Sequence, residues 1–224
     1  MYKSDHEAKR AIIEAGRRLY HNAYVAANDG NITARMEDGT VWCTPTGVSK
    51  GFMTYEMLVR VDMDGNVIEG THQVSSEIAL HLAMYQENPQ LGGIVHAHGP
   101  GATAWAASGK DWHLAISLDA ALSLGIVPCA RFAITGSKKL AEVAAPYCKK
   151  HTAVLLEHHG SVTWGKDVEQ ALHRTEVLEH TFKVYANMKI FGEVRLLSER
   201  QLDEVEQVKK KFGITCPRAT GRID

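Results

Sequence analysis

At 224 residues, 45% of them hydrophobic and 23% charged, the chain can bury a real core without disulfides or metal clips, and one domain over 1–224 is the expectation. Its 25 basic and 26 acidic residues leave a net charge of -1, which gives no electrostatic footprint for nucleic acid or an anionic membrane. Cys43, Cys129, Cys148 and Cys216 are scattered with no CxxC pair, so they read as reduced thiols rather than a disulfide framework or zinc knuckle.

Ser4 with Glu7 has the capping-box pattern, and Ala8, Ala11, Ile12, Ala15 and Leu19 recur at helical spacing, predicting a first helix to about residue 22. After the polar break at 28–31, the segments 32–35 and 41–44 flank Glu37-Asp38-Gly39, and 58–62 and 66–69 flank Asp64-Gly65. Each is a strand, turn, strand signal. Ser75 or Ser76 is expected to cap a helix whose Ile78, Leu82 and Tyr85 share a face, with Pro89 just beyond it. The apolar run Gly93-Ile94-Val95 then leads into His96-Ala97-His98. Further on, the pattern predicts a short helix over 117–124, a strand over 127–134 and a helix from Ser137 to about 150, with Pro146 disturbing its end. A second apolar strand from Ala153 runs to Glu157-His158-His159-Gly160, followed by a strand at 161–164. A long helix begins at Asp167, and Ser198 with Gln201 opens a last one that stops near Gly213. Strands mixed with helices, hairpins included, predict an α/β sandwich around a largely antiparallel central sheet. No apolar stretch is long enough to span a bilayer, and a cytoplasmic location is expected.

Strand side chains alternate faces, so His96 and His98 point the same way. Two such imidazoles in an otherwise apolar strand are costly to desolvate unless something binds them, and a divalent cation is the common answer. His159 is a third candidate ligand, with Gly160 permitting close approach; in strand geometry only one of His158 and His159 can join. Three histidines leave a coordination position for water or substrate, the catalytic pattern, and zinc suits an all-imidazole set, with manganese, cobalt or iron as substitutes. Glu77 can serve as a fourth ligand or as a base, and His81, four residues on, reads as support or packing. Ser75 and Ser76 at a helix start, with Asn31 after Gly30 and Thr46 before Gly47, offer the donors and close backbone approach that phosphate needs.

Taken together, Gly30-Asn31-Ile32-Thr33, Thr44-Pro45-Thr46-Gly47, Ser75-Ser76-Glu77, His96-Ala97-His98 and Glu157-His158-His159-Gly160 resemble the class II aldolase/adducin family, in order and spacing, from about residue 5 to 190. The resemblance implies an α/β/α sandwich and a zinc enzyme, usually a cyclic homotetramer with its sites where subunits meet. It assigns His96, His98 and His159 to zinc, Glu77 to acid/base duty, and Asn31, Thr46, Gly47, Ser75 and Ser76 to a sugar phosphate. The activity implied is cleavage of a ketose 1-phosphate, such as L-fuculose 1-phosphate, to dihydroxyacetone phosphate and a short aldehyde. The family's sugar-phosphate 4-epimerases and its non-catalytic assembly modules are the alternatives; the epimerases tend to carry aspartate where this chain has Glu77. Where aldolases of the family carry tyrosine acids, this chain has Ser117 and Phe212. Asp119 nearby either replaces that function from a neighbouring subunit or caps a helix, the second being favoured.

Overall fold

The computed structural model describes residues 1–220. Helix α1 (Asp5–His21) leads into two hairpins, β1 (Asn31–Arg35) with β2 (Val41–Cys43) and β3 (Val59–Val61) with β4 (Val67–Glu69). Both turns form where Asp and Gly predict them: Asp38 Oδ1 accepts Thr40 N–H at 2.9 Å, Asp62 Oδ1 accepts Asn66 N–H at 2.8 Å, and Gly39 and Gly65 take φ of 87° and 88°. There follow α2 (Ile78–Glu87), β5 (Gly93–Ala97), α3 (Pro100–Ala106), α4 (Leu118–Ser123), β6 (Cys129–Ala130) and α5 (Lys138–Ala144). The hairpin β7 (Ala153–Leu156) with β8 (Gly160–Gly165) and the helices α6 (Val168–Phe191) and α7 (Glu199–Phe212) complete the described chain.

The strands form one eight-stranded sheet in the order β4-β3-β2-β1-β5-β8-β7-β6. Every neighbouring pair is antiparallel except β6 with β7, so the expected largely antiparallel α/β sandwich is the fold. Alternation sorts the side chains between two layers. Ile32, Trp42, Val95 and Ala97 pack against Ile12 and Leu19 of α1 and Ala171 of α6. Val41, Cys43, Ile94, Val154 and Val162 pack on the other face against Leu80, Met84 and Tyr85 of α2 and Leu140 of α5. His96 belongs to that second face, being two residues from Ile94, and this decides where the site can lie.

Several sequence expectations need correction. Ser4 stands extended at the start of α1, but its hydroxyl caps no N–H; Ser198 and Gln201 do form their capping box. Helix α2 begins at Ile78 rather than at the serines, because Ser75 O takes the Ile78 N–H in a preceding turn and leaves Glu77 at the cap position. Helix α3 was not expected from Gly99-Pro100-Gly101. The strand over 127–134 contracts to two residues, since Glu157 Oε2 draws Phe132 N–H at 2.6 Å and takes the chain out of the ladder. The helix from Ser137 changes at Ala145–Lys149 to a 3₁₀ turn, where Pro146 cannot donate. All four cysteines are free thiols.

Candidate metal centre

Sheet register assembles the cluster. Asn31 of β1 lies opposite His96 of β5, and on the other side of β5 Ala97 lies opposite Ser161 of β8. Two residues before Ser161, the β7–β8 turn carries His159, and Gly160 fits because a Cβ there would stand 2.5 Å from Ala97 O. His158 and His159 are therefore turn residues rather than strand residues. His158 adopts φ 58° and is exposed, while His159 turns inward.

Glu77, His96, His98 and His159 each bring one ligand atom to within 4.8 Å of all the others. His98 Nε2 lies 2.9 Å from His96 Nε2, which lies 3.3 Å from Glu77 Oε2. His159 Nε2 is 3.6 Å from Glu77 Oε1. Two of the three outward nitrogens are held: His96 Nδ1 donates to Ser161 O at 2.9 Å, and His98 Nδ1 lies 3.4 Å from Asp29 Oδ2, whereas His159 Nδ1 is buried without a partner. Such partners fix the tautomers of His96 and His98 and leave those two Nε2 atoms with their lone pairs facing inward. Two inward lone pairs 2.9 Å apart repel unless a cation or proton lies between them. Glu77 Oε1 is buried with no hydrogen-bond partner, while Oε2 accepts from Asn31 Nδ2 at 2.9 Å. Three nitrogens and a bare carboxylate oxygen form the donor set of an open divalent-metal site, so these residues fit such an ion.

Without an ion, the positive charge that the cluster calls for falls on His96. Burial opposes the charge of Glu77, but His96 outweighs it and holds the carboxyl well below its usual range. For His96, burial opposes protonation and the adjoining Glu77 carboxylate wins, raising its pKa. Burial and then the positive charge of His96 push His98 and His159 down to about 4, which keeps both as neutral ligands. His81 is fully buried outside the cluster; its Nδ1 lies 2.8 Å from Thr33 Oγ1, itself 2.9 Å from Tyr85 OH.

A cleft of about 180 Å³ opens on the cluster, lined by Glu77, His98 and His159 and by Asn31, Thr46, Ser75 and Ser76. Those four expected phosphate residues thus meet at one mouth, with Gly47 beside Thr46 just outside the lining. A larger groove of about 450 Å³ runs between α1 and the start of α6, but no metal-capable cluster lies in it among the described residues. Asp119 lies exposed in the first turn of α4, and the cap there is Ser117, whose hydroxyl accepts Ala120 N–H at 3.2 Å. The capping role expected of Asp119 is therefore incorrect. Sequence reasoning missed Asp29, Lys50 and Thr135, which line the cleft. Asp29 was visible only as part of a polar break; Lys50 and Thr135 gave no signal.

Comparison with known proteins agrees with this geometry. The model for the class II aldolase and adducin N-terminal domain matches residues 10–186. L-ribulose-5-phosphate 4-epimerase UlaF of Salmonella paratyphi C is 34% identical over 188 residues, 79% of this chain and 82% of the relative. The 3-oxo-tetronate 4-phosphate decarboxylase of Haemophilus influenzae is 32% identical over 207 residues, covering 91% and 98%. A solved L-fuculose 1-phosphate aldolase superposes with a TM-score of 0.84 at 29% identity, covering 96% of this chain and 99% of its own. The match over residues 10–186, on a sheet that brings three histidines and a glutamate together, shows that the chain belongs to the class II aldolase/adducin family.

Proposed function

We propose that the chain is a zinc-dependent aldolase that cleaves a ketose 1-phosphate resembling L-fuculose 1-phosphate into dihydroxyacetone phosphate and a short aldehyde. The carrying observation is Glu77: one carboxylate oxygen is fixed by Asn31, and the other is buried and unpartnered beside three convergent imidazoles. His96, His98 and His159 hold the metal, which when bound supplies Lewis-acid stabilisation of charge on the substrate's carbonyl oxygen. Thr46, Gly47, Ser75, Ser76 and the Asn31 region grip the phosphate, which orients the sugar without doing chemistry. As the C3–C4 bond breaks, its electron pair passes toward the C2 carbonyl, C4 leaves as the aldehyde carbon, and C3 takes up through Glu77, a carboxylate at rest, one proton in balance with the one the C4 hydroxyl gives up. In condensation Glu77 removes that proton. Asp119, exposed on α4, is assigned to a neighbouring subunit's site, exchanging the C4 hydroxyl proton within a cyclic homotetramer.

A second reading has its own support in the names of the relatives at 34% and 32% identity, an epimerase and a decarboxylase. All three reactions break a carbon bond next to a carbonyl-bearing carbon and need the same electron sink. The metal-loaded protein should be given L-fuculose 1-phosphate, L-ribulose 5-phosphate and a 3-oxo-tetronate 4-phosphate, with coupled detection of dihydroxyacetone phosphate. Triose and aldehyde are the expected products. Epimerised pentose without triose, or carbon dioxide alone, moves the assignment to the second reading.

A further inference from the structure

Lys50 is 1% exposed, yet it lines the cleft. Burying an ammonium is costly unless its donors are met, and methionine would fill the same space more cheaply. Lys50 Nζ donates to Asn28 O and to Val48 O, each at 2.7 Å. Those carbonyls belong to different loops. One leads through Gly30 to Asn31, the residue holding Glu77; the other carries Thr46 and Gly47. The first loop is tightly constrained, since Gly30 sits at φ 73° and a Cβ there would stand 2.7 Å from His96 O. The second is held by the Thr46 N–H bond to Gln73 O at 2.9 Å, the antiparallel bridge of Pro45 with Val74, the packing of Val48 on the core and the Lys50 tether. An ammonium has three donors, and among the described residues the third finds no protein acceptor.

We propose that Lys50 is a positioning residue for an anion: it ties the 28–31 loop to the 46–48 loop and places its positive charge behind the phosphate those loops receive. This rests on the phosphate reading of the cleft given above. Burial also lowers the Lys50 pKa to about 8, a cost that a bound dianion would relieve.

The test compares the zinc-loaded wild type with Lys50→Met and Lys50→Arg, titrated with inorganic phosphate and assayed on whichever ketose phosphate the wild type turns over. For Lys50→Met we expect zinc content unchanged, phosphate affinity and KM worsened about tenfold or more, and kcat within about threefold. Lys50→Arg should recover most of the loss. Phosphate affinity and KM within about twofold of wild type in Lys50→Met overturn the proposal, as does a loss of zinc and kcat that arginine does not restore. Should Lys50→Met fail to fold, the Lys50 Nζ nitrogen resonance of the wild type decides: it must move on adding phosphate, and a static signal overturns the proposal. A wild type that neither binds phosphate nor acts on phosphorylated sugars instead removes the phosphate reading itself, and the Lys50 role with it.

Discussion

Glu179, on α6, accepts the backbone N–H of Gly101 at 2.9 Å with one carboxylate oxygen and that of Ala102 at 2.9 Å with the other. It caps α3 from another element, and α3 starts at the second residue after His98. Gly99 must be glycine for this, since a Cβ would collide with the Glu179 carboxylate. Burial raises the Glu179 pKa while the two N–H bonds pull it back. We expect Glu179→Ala to cost about 2–4 kcal/mol of stability and to weaken zinc binding about tenfold, because the backbone carrying His98 loses its anchor. Denaturant unfolding and a chelator competition titration measure the two effects. Unchanged zinc affinity in a destabilised variant would reduce Glu179 to a purely architectural cap.

Within the cluster the roles separate by charge and ligand number. His96→Ala removes a fully buried ligand at the centre of the set, so metal and activity should disappear together. Glu77→Gln leaves three imidazoles for the ion and keeps a side chain able to bond Asn31, but it cannot exchange a proton. We expect near-stoichiometric zinc with turnover lowered by about a hundredfold or more. Near-full turnover in Glu77→Gln places the base elsewhere.

Local signals made much of this site legible, and tertiary contacts hid the rest. The HxH strand, the hairpin turns and the Asp167 and Ser198 caps depend on neighbours in sequence, and they lie where expected. A turn with His158 at φ 58°, rather than strand alternation, sends His158 and His159 in different directions. Helix α3 could not be read, because Gly99-Pro100-Gly101 looks like a breaker until a carboxylate 78 residues away supplies its cap. The same holds for Lys50, whose partners are carbonyls that no side-chain pattern announces, and for Ser161, which orients His96 through its backbone oxygen.

Metal removal should register in stability as well as in rate. A ligand that binds only the folded chain stabilises it by about 4 kcal/mol when present at a thousand times its Kd. Dialysis against a chelator should therefore lower Tm by several degrees, and zinc should restore it. His96→Ala serves as the control and should show neither change. If chelation leaves the wild-type Tm where it was, the cluster does not hold a tightly bound ion.

His81 gives the pH dependence a distinct sign. Burial foremost, and then the positive charge of His96, lower its pKa from 6.5 to about 3, with Glu77 opposing. The unfolded chain therefore binds a proton there that the folded chain refuses, over the window from about 6.5 down to about 3. Stability from this group is complete above the unfolded pKa and is lost as pH falls through that window, at up to about 1.4 kcal/mol per pH unit. Surface histidines and the three clustered histidines contribute equally to a variant that keeps them, so subtraction isolates His81. His81→Asn retains a polar partner for Thr33 but cannot titrate. Between about pH 6 and pH 4.5 its unfolding free energy should fall less steeply than the wild type's, the two curves converging toward acid. Parallel curves would mean that the imidazole is already charged in the fold, and the buried His81–Thr33–Tyr85 chain would then need a proton acceptor in place of the neutral ring.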